Sequence, residues 1–215
     1  MDSKDYHDYV IKDGKLIGDF ENMYKYSTTV PWGQDKQNDW LDVRIIVELL
    51  KRNDDFDALI DLGCGLGYFI NTLKREFPNI KDSVGFDISE TCLKMTRMLF
   101  PDYEFYERDL TKDNGLFDLG GKKLVTLRGT IWYVCHSMEN VVNNVLDVTN
   151  TGDYFLISQN FPPLDSEFYG KDIIPNHHFL IKYFIDEFNL VEGVLHENYK
   201  SKDNDNWVIM LMERK

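Results

Sequence analysis

Short apolar runs of strand length alternate with amphipathic stretches along most of this chain. The apolar runs lie near Leu59, Val84, Phe105, Val125 and Phe155. Between them, apolar residues recur at three- and four-residue spacing, which predicts helices. Strands that alternate with helices at short intervals are typical of parallel βαβ units with right-handed crossovers. The pattern therefore predicts an α/β protein with a doubly wound, mostly parallel sheet and helices on both faces.

The predicted sheet has seven strands, and the last strand is antiparallel because two late apolar runs flank a polar turn. The predicted strands are Ala58–Ile60, Ser83–Asp87, Tyr103–Asp109, Lys122–Leu127 and Tyr154–Ser158, followed by Leu190–Tyr199 and Trp207–Glu213 around the turn Ser201–Asn206. The predicted helices run from an N-cap at Asn38 to about Leu50, over Tyr68–Phe77 before Pro78, from the cap Ser89 to before Pro101, from Ser137 to about Asn150, and over His178–Phe188.

Two segments do not fit the alternation of strands and helices. Residues 1 to 38 are polar and aromatic, and glycine and proline interrupt any sustained period there. The stretch from Asn160 to Pro175 is long for an α/β connection, and loops of this length are usually functional. We expect one domain over residues 1–215, with 1–40 as an N-terminal arm or lid and 160–178 as an acceptor-side loop.

Composition narrows the classes of function. The formal net charge is −13, from 24 Lys and Arg against 37 Asp and Glu. The negative electrostatic field of the protein would oppose contacts with a phosphate backbone, so a nucleic-acid partner is not expected. The three cysteines form no C-x-x-C pair, which argues against a zinc site or a disulfide framework. The start of the chain is polar and no run could span a membrane, so we expect a cytoplasmic protein that binds no metal.

A glycine-rich loop follows the first predicted strand of the sheet. Its pattern is Asp61-x-Gly63-x-Gly65-x-Gly67, and the stretch from Tyr68 onward is helical in character. Glycines let a ligand approach the backbone, and the N–H groups at the start of the next helix face that ligand. A dinucleotide fingerprint starting at Gly63 would need glycine at position 68, where this chain has tyrosine. The loop therefore favours a different nucleoside cofactor.

In this loop, and in the acidic residues that end the next two strands, the chain resembles the class I S-adenosylmethionine (SAM) methyltransferases. The resemblance implies a Rossmann-like methyltransferase fold, SAM as cofactor and S-adenosylhomocysteine (SAH) as product. It implies that Asp87 accepts the ribose hydroxyls and that Asp109 receives the adenine amino group. The full set of expected cofactor residues in this region is Asp61, Gly63, Cys64, Gly65, Gly67, Asp87, Ile88, Asp109 and Leu110.

The arm carries a second, shorter similarity. Pro31-Trp32, followed by Trp40-Leu41-Asp42-Val43-Arg44, is similar to small-molecule methyltransferases of the nodulation N-methyltransferase type. By this resemblance, Trp32 closes over the cofactor and Arg44 pairs with its methionine carboxylate. The alternative is that Trp32 fills the core and Arg44 is a solvated helix residue.

The acceptor is expected at the end of the fourth strand, where methyltransferases of this class place residues between cofactor and acceptor. Arg128, Trp132, Tyr133 and His136 follow that strand. An imidazole is a residue type suited to general base catalysis, so His136 is the first catalytic candidate, with Tyr133 as the second. The alternative is a histidine at a helix entry without chemistry. The expected acceptor-binding residues are Trp132, Tyr133, Arg128, Tyr169, Lys171 and His178, and Arg128 is also a cofactor candidate.

The segment Phe168-Tyr169-Gly170-Lys171-Asp172 is similar to the O-methylating enzymes of bacterial capsule phosphoramidate biosynthesis. This resemblance favours methylation of an oxygen on a sugar- or nucleotide-linked metabolite, such as a capsule phosphoramidate precursor. Two alternatives stay open, which are small-molecule N-methylation and a non-catalytic SAM-binding partner protein. The sequence does not determine the oligomeric state.

Overall fold

The computed structural model describes residues 5–163, 166–198 and 206–215. The strands are β1 (Ile11–Lys12), β2 (Lys15–Leu16), β3 (Ala58–Leu62), β4 (Asp82–Asp87), β5 (Glu104–Glu107), β6 (Lys123–Arg128), β7 (Tyr154–Asn160), β8 (Phe188–His196) and β9 (Trp207–Arg214). The α-helices are α1 (His7–Val10), α2 (Phe20–Tyr26), α3 (Leu41–Leu50), α4 (Tyr68–Glu76), α5 (Glu90–Leu99), α6 (Ile131–Val134), α7 (Met138–Leu146) and α8 (His177–Lys182). Two 3₁₀ segments, Pro31–Asp39 and Cys135–Ser137, complete the described elements.

The main sheet confirms the predicted fold class. Its seven strands lie in the order β5-β4-β3-β6-β7-β9-β8. The first five in this order are parallel to one another, and β9 is antiparallel to both β7 and β8. The strand order reverses between β3 and β6, which is where ligands bind in open α/β sheets. The carboxyl ends of β3, β4 and β6 therefore position the candidate site.

Two apolar layers cover the faces of this sheet. Helices α3 and α4 pack on one face around Leu59, Leu124 and Leu156. Helices α6, α7 and α8 pack on the other face around residues such as Val125 and Phe155. Strand β3 is buried along its whole length, which explains why its first three residues, Ala58–Ile60, form a continuous apolar run and not an alternating pattern. Among the described residues, no helix is both long and apolar enough to cross a membrane.

The start of α3 differs from the prediction. Asn38 is not its N-cap, because the helix begins at Leu41 and the extended residue Trp40 takes the cap position without a side-chain hydrogen bond. The Asn38 side chain instead bonds the hydroxyl of Thr72 on α4. The cap at Ser89 is as predicted, since its Oγ accepts the Cys92 N–H at 3.1 Å.

The last part of the chain differs in its boundaries. The predicted helix His178–Phe188 is observed only over His177–Lys182, and Phe188 already begins β8. Phe188 is completely buried against Phe155 and Phe184, so tertiary packing places it in the sheet. The predicted turn 201–206 lies outside the described residues, except for Asn206.

The N-terminal arm is more regular than its sequence indicates. Its α1, the small β1–β2 hairpin, α2 and the 3₁₀ segment Pro31–Asp39 replace the expected loops. Val10, Met23 and Tyr24 of the arm form an apolar cluster with Leu66 of the glycine loop and Cys92 of α5. The helices and strands of the arm are too short to be stable alone, so burial against the main domain stabilises them.

Candidate functional site

The glycine loop joins the end of β3 to the start of α4. The N–H groups of Gly63 and Cys64 both donate to the Phe86 carbonyl at 2.8 Å, so the loop is fixed to the end of β4. Gly67 caps α4 with φ 75° and Gly65 has φ 51°, a left-handed region that side chains disfavour. A side chain at Gly63 would also collide with Thr130 beyond β6. The glycines are thus required by both backbone geometry and packing.

Asp87 ends β4 and contacts the glycine loop directly. Its Oδ2 accepts the Gly65 N–H at 2.9 Å and its Oδ1 accepts the Ser89 N–H at 3.0 Å. Loss of hydration raises the pKa of this carboxyl, while these backbone donors oppose the rise. A carboxylate has about four acceptor positions. Asp87 therefore keeps the capacity to accept further hydroxyl donors beside the loop.

Asp61 lies one strand away and is almost completely buried. Its Oδ1 accepts the Thr126 hydroxyl at 2.6 Å. Burial raises the pKa of Asp61 to about 6, although the Thr126 hydrogen bond and the charge of Arg128 act in the opposite direction. A buried carboxylate with a raised pKa is the type of group that gains most from a cationic ligand.

Asp109 follows β5, which ends earlier than predicted, at Glu107. Its carboxylate accepts the Thr111 N–H at 3.0 Å and the Thr111 hydroxyl at 2.6 Å, and it pairs with Lys112 at 2.8 Å. Burial alone would raise the pKa of Asp109, but the hydrogen bonds from Lys112 and Thr111 leave it below its ordinary value. The neighbouring Leu110 is buried.

Two further cofactor candidates, Cys64 and Ile88, differ in their exposure to solvent. Cys64 is buried in the loop and its thiol lies 3.6 Å from the Gly65 carbonyl. Ile88 is exposed at the end of β4, where its side chain is free to cover an adjacent ligand.

Arg128 at the end of β6 is held by the arm and by α3. Its guanidinium pairs with the buried carboxylate of Asp42 at 2.7 Å and donates to Gln37 Oε1 at 2.7 Å. The rings of Trp40, Phe69 and Trp207 flank it. Gln37 and Asp42 are not among the expected site residues, although Asp42 is the acid of the Trp-x-acid-x-Arg pattern. Arg44 of the same pattern is exposed on α3, so its pairing with a cofactor carboxylate stays a prediction.

An aromatic cluster lies where the arm meets the exit of β6. The Trp32 ring lies 5.6 Å from that of Tyr133 and 5.5 Å from that of Tyr6, and Phe20 lies 5.4 Å from Tyr133. These residues pack in the same cluster as Leu66 of the glycine loop. Burial raises the pKa of Tyr133 above its ordinary value. Trp32 and Tyr133 are thus brought together beside the loop, in an arrangement compatible with both roles considered for Trp32.

The remaining acceptor candidates separate into buried and exposed groups. Trp132 is buried against Phe161 and Phe168, and its Nε1 donates to the Asn160 carbonyl at 3.0 Å. His136 is exposed on the 3₁₀ segment Cys135–Ser137.

The candidates of the acceptor-side loop lie at or near the surface. Lys171 pairs with Glu167 at 3.0 Å and Tyr169 is half-buried. His178 is exposed, and its ring centroid lies 4.0 Å from that of His177. The fold therefore joins Tyr133 to the arm but leaves His136 and His178 facing solvent.

Gln34 is an arm residue that contacts the glycine loop and is not among the expected site residues. Its Oε1 accepts the Leu66 N–H at 2.7 Å and its Nε2 donates to the Tyr24 hydroxyl at 3.1 Å. A side chain at Gly65 would collide with this carboxamide. A single polar residue in an irregular arm belongs to no motif, so the sequence contains no signal for this contact.

The strand order, the glycine loop after β3 and the acid that ends β4 together define a class I SAM-dependent methyltransferase fold. No protein-family model and no curated protein matches the sequence. Solved structures are similar over most of the chain. The N-methyltransferase NodS from Bradyrhizobium japonicum, in complex with SAH, has 13% sequence identity and a TM-score of 0.66, with 90% of this chain and 97% of that chain covered.

Two further structures have the same fold. A SAM-dependent methyltransferase from Mesorhizobium loti has 17% identity and a TM-score of 0.62, covering 85% of this chain and 100% of its own. Another from Aquifex aeolicus has 11% identity and a TM-score of 0.62, covering 87% and 100%. At these identities the similarity establishes the fold. It gives no support to the resemblance to the capsule phosphoramidate enzymes.

Proposed function

We propose that this protein is a SAM-dependent methyltransferase that acts in the cytoplasm on a small soluble acceptor. The observation that carries the proposal is the contact between Asp87 and Gly65, where the acid that ends β4 bonds the glycine loop after β3. This contact joins a carboxylate with free acceptor capacity to the glycine loop at the carboxyl ends of β3 and β4, next to the reversal of strand order, where a nucleoside is expected. The shared fold of the solved methyltransferases supports the same conclusion.

We assign the residues beside the loop to the parts of SAM. In this proposal Asp87 binds the ribose hydroxyls, while Asp109, Ile88 and Leu110 bound the adenine. Asp61 is the acceptor for the methionine ammonium, because a buried carboxylate with a raised pKa is stabilised by a nearby positive charge. We assign the methionine carboxylate to Arg128, whose guanidinium also pairs with Asp42, with the exposed Arg44 as the second candidate.

Alignment is the main task of the protein in this chemistry. SAM supplies a methyl group that is already activated by its sulfonium centre. The chain has to hold an acceptor atom in line with that group and exclude water, and alignment of this kind can lower a barrier by about 7–11 kcal/mol. We assign the exclusion of water to the arm, with Trp32 and Tyr133 as its contact with the main domain.

The acceptor is proposed to be an oxygen of a sugar- or nucleotide-linked metabolite, bound between the exit of β6 and the loop 160–178. A hydroxyl acceptor must lose its proton as it attacks, and His136 is the imidazole closest in sequence to that strand end. A phosphate-type oxygen is already anionic and needs no base. Tyr169, Lys171 and His178 would then contribute to binding the acceptor, with Lys171 adding a positive charge.

A second candidate function is small-molecule N-methylation. The observation that favours it is the similarity in fold to a protein described as an N-methyltransferase, which covers 90% of this chain. An amine acceptor needs only to be neutral, so His136 would be dispensable. A non-catalytic SAM-binding protein is the third alternative, and it predicts cofactor binding without any methylated product.

The proposal is tested by binding and by product analysis with the purified protein. Isothermal titration with SAH should give saturable binding with one site per chain. Incubation with SAM and fractionated metabolite pools should give a methyl mass shift on a small molecule, and fragmentation of that product distinguishes O- from N-methylation. Absence of SAH binding at millimolar concentration would contradict the proposal, and binding without any product would favour the non-catalytic alternative.

A further inference from the structure

The glycine loop donates one of its hydrogen bonds to a residue of the N-terminal arm. Gly63 and Cys64 donate to the Phe86 carbonyl, Gly65 donates to Asp87 and Gly67 donates to the Cys64 carbonyl. Only the Leu66 N–H has an acceptor in the arm, which is Gln34 Oε1 at 2.7 Å. An N–H in such a loop is the type of group that binds a polar or anionic ligand atom.

The Gln34 carboxamide also occupies the space beside Gly65. A Cβ built at Gly65 would collide with both terminal atoms of the carboxamide. Glycine leaves this space open so that a ligand can approach the backbone. The same side chain therefore takes both the volume and the hydrogen-bond donor that a cofactor on this loop would use.

The arm holds Gln34 in this position from two sides. Its Nε2 donates to the hydroxyl of Tyr24, which is buried on α2. Upstream, Trp32 has φ 53° and Gly33 has φ 58°, and a non-glycine residue keeps a positive φ only where its surroundings impose it. The rings of Tyr6 and Tyr133 pack on Trp32. Tertiary contacts thus select the backbone shape that directs Gln34 to the loop.

We propose that Gln34 is an internal competitor of the cofactor: its carboxamide binds the Leu66 N–H in the closed arm, and SAM or SAH must displace it to occupy the loop. This inference rests on the proposed function and adds its regulation. Any contact that stabilises the displaced arm would raise the apparent affinity, because affinity is reduced by the fraction of molecules in the competing state. The arm would then first limit binding of the cofactor to the loop and, once the cofactor is bound, shield it from water.

The test is SAH affinity measured by calorimetry for Gln34→Ala. A typical hydrogen bond contributes about 0.5–1.5 kcal/mol, so loss of the competitor should tighten SAH binding by about fivefold. Tyr24→Phe keeps its ring but releases the other end of the carboxamide, and it should tighten binding by a smaller factor. Lys36→Ala, exposed in the same 3₁₀ segment, is the matched control and should bind SAH as the wild type does.

Hydrogen exchange gives a second readout that does not depend on turnover. The Leu66 amide should exchange faster in Gln34→Ala than in Lys36→Ala when no SAH is added. Unchanged or weaker SAH binding by Gln34→Ala would contradict the proposal that Gln34 competes with the cofactor. Weaker binding would show instead that Gln34 contacts the cofactor. If neither wild type nor Gln34→Ala binds SAH, the proposed function itself fails. The two failures are therefore distinguishable.

Discussion

The two ends of the candidate site are built in different ways. On the cofactor side, the ends of β3 and β4 and the glycine loop are joined by backbone hydrogen bonds, with Asp87 bonded to Gly65 and the Phe86 carbonyl bonded to Gly63. On the acceptor side, beyond β6 and β7, aromatic side chains pack on one another around Trp132. The titratable groups His136 and His178 on that side are exposed.

This difference shows why one half can be predicted from a motif and the other cannot. A backbone turn demands glycine at fixed spacing, so its sequence is constrained wherever the turn occurs. Many sequences can achieve packing by aromatic side chains, because the total side-chain volume and the hydrophobic pattern matter more than the identity of each residue. We therefore expect substitutions on the cofactor side to affect binding strongly and substitutions on the acceptor side to affect mainly turnover.

The largest effect is expected for Asp87→Ala. This variant loses the carboxylate that is proposed to bind the ribose, and hydrogen bonds to a charged group contribute about 1.5–3 kcal/mol each. SAH affinity measured by calorimetry should fall by about a thousandfold. Asp82→Ala, at the opposite end of β4, is the control and should bind normally. Unchanged affinity in a folded Asp87→Ala protein would remove Asp87 from the cofactor site.

The next effect concerns stability. Burial raises the pKa of Asp61 to about 6, so between about pH 4 and pH 6 the folded protein retains a proton that the unfolded chain has lost. The contribution of Asp61 to the free energy of unfolding is therefore highest below about pH 4 and falls by about 3 kcal/mol as the pH rises through 6.

Asp61→Asn should remove this dependence. Denaturant unfolding should show a variant that is more stable than the wild type at pH 8, with a smaller difference at pH 4. The same variant should bind SAH more weakly, because the buried charge proposed to bind the ammonium is lost. Parallel stability curves for the two proteins would show that Asp61 does not titrate in this range.

On the acceptor side, His136→Ala should keep SAH affinity and lower turnover by about a hundredfold if the acceptor is a hydroxyl, since general base catalysis contributes at least that much. The wild-type rate should then rise with pH, because only a neutral imidazole can accept the proton. For a phosphate-type acceptor, the variant should mainly raise KM. Glu139→Ala, exposed on α7, is the control, and wild-type kinetics of His136→Ala at every pH would direct attention to Tyr133 or His178.

The smallest effect is a spectral one. If the arm moves and then covers the cofactor, the environment of Trp32 must change between those states. Saturating SAH should alter the tryptophan fluorescence and the hydrogen exchange of residues 20–39. The fluorescence change should disappear in Trp32→Phe, which leaves Trp40, Trp132 and Trp207 as unchanged emitters. A fluorescence and exchange pattern indifferent to SAH would contradict a mobile arm.

Local rules explain which elements were predicted correctly. The Ser89 cap and the strand that ends at Asp87 follow from residues within a few positions of one another. The predicted N-cap at Asn38 is wrong: this residue type suits a cap, but its side chain bonds Thr72 on another helix. The predicted helix end at Phe188 is wrong for a related reason, since buried contacts with Phe155 and Phe184 place this residue in a strand.

The sequence alone determined the alternation of strands and helices in the main sheet, the position of the glycine loop and the acid that ends β4. It could do so because hydrophobic period and glycine spacing are set by backbone geometry along one segment. Only the tertiary structure decided that Gln34 reaches the Leu66 N–H and that Asp42 pairs with Arg128. These contacts join residues far apart in the chain, and no local rule encodes which polar side chain a fold will bring to a distant loop.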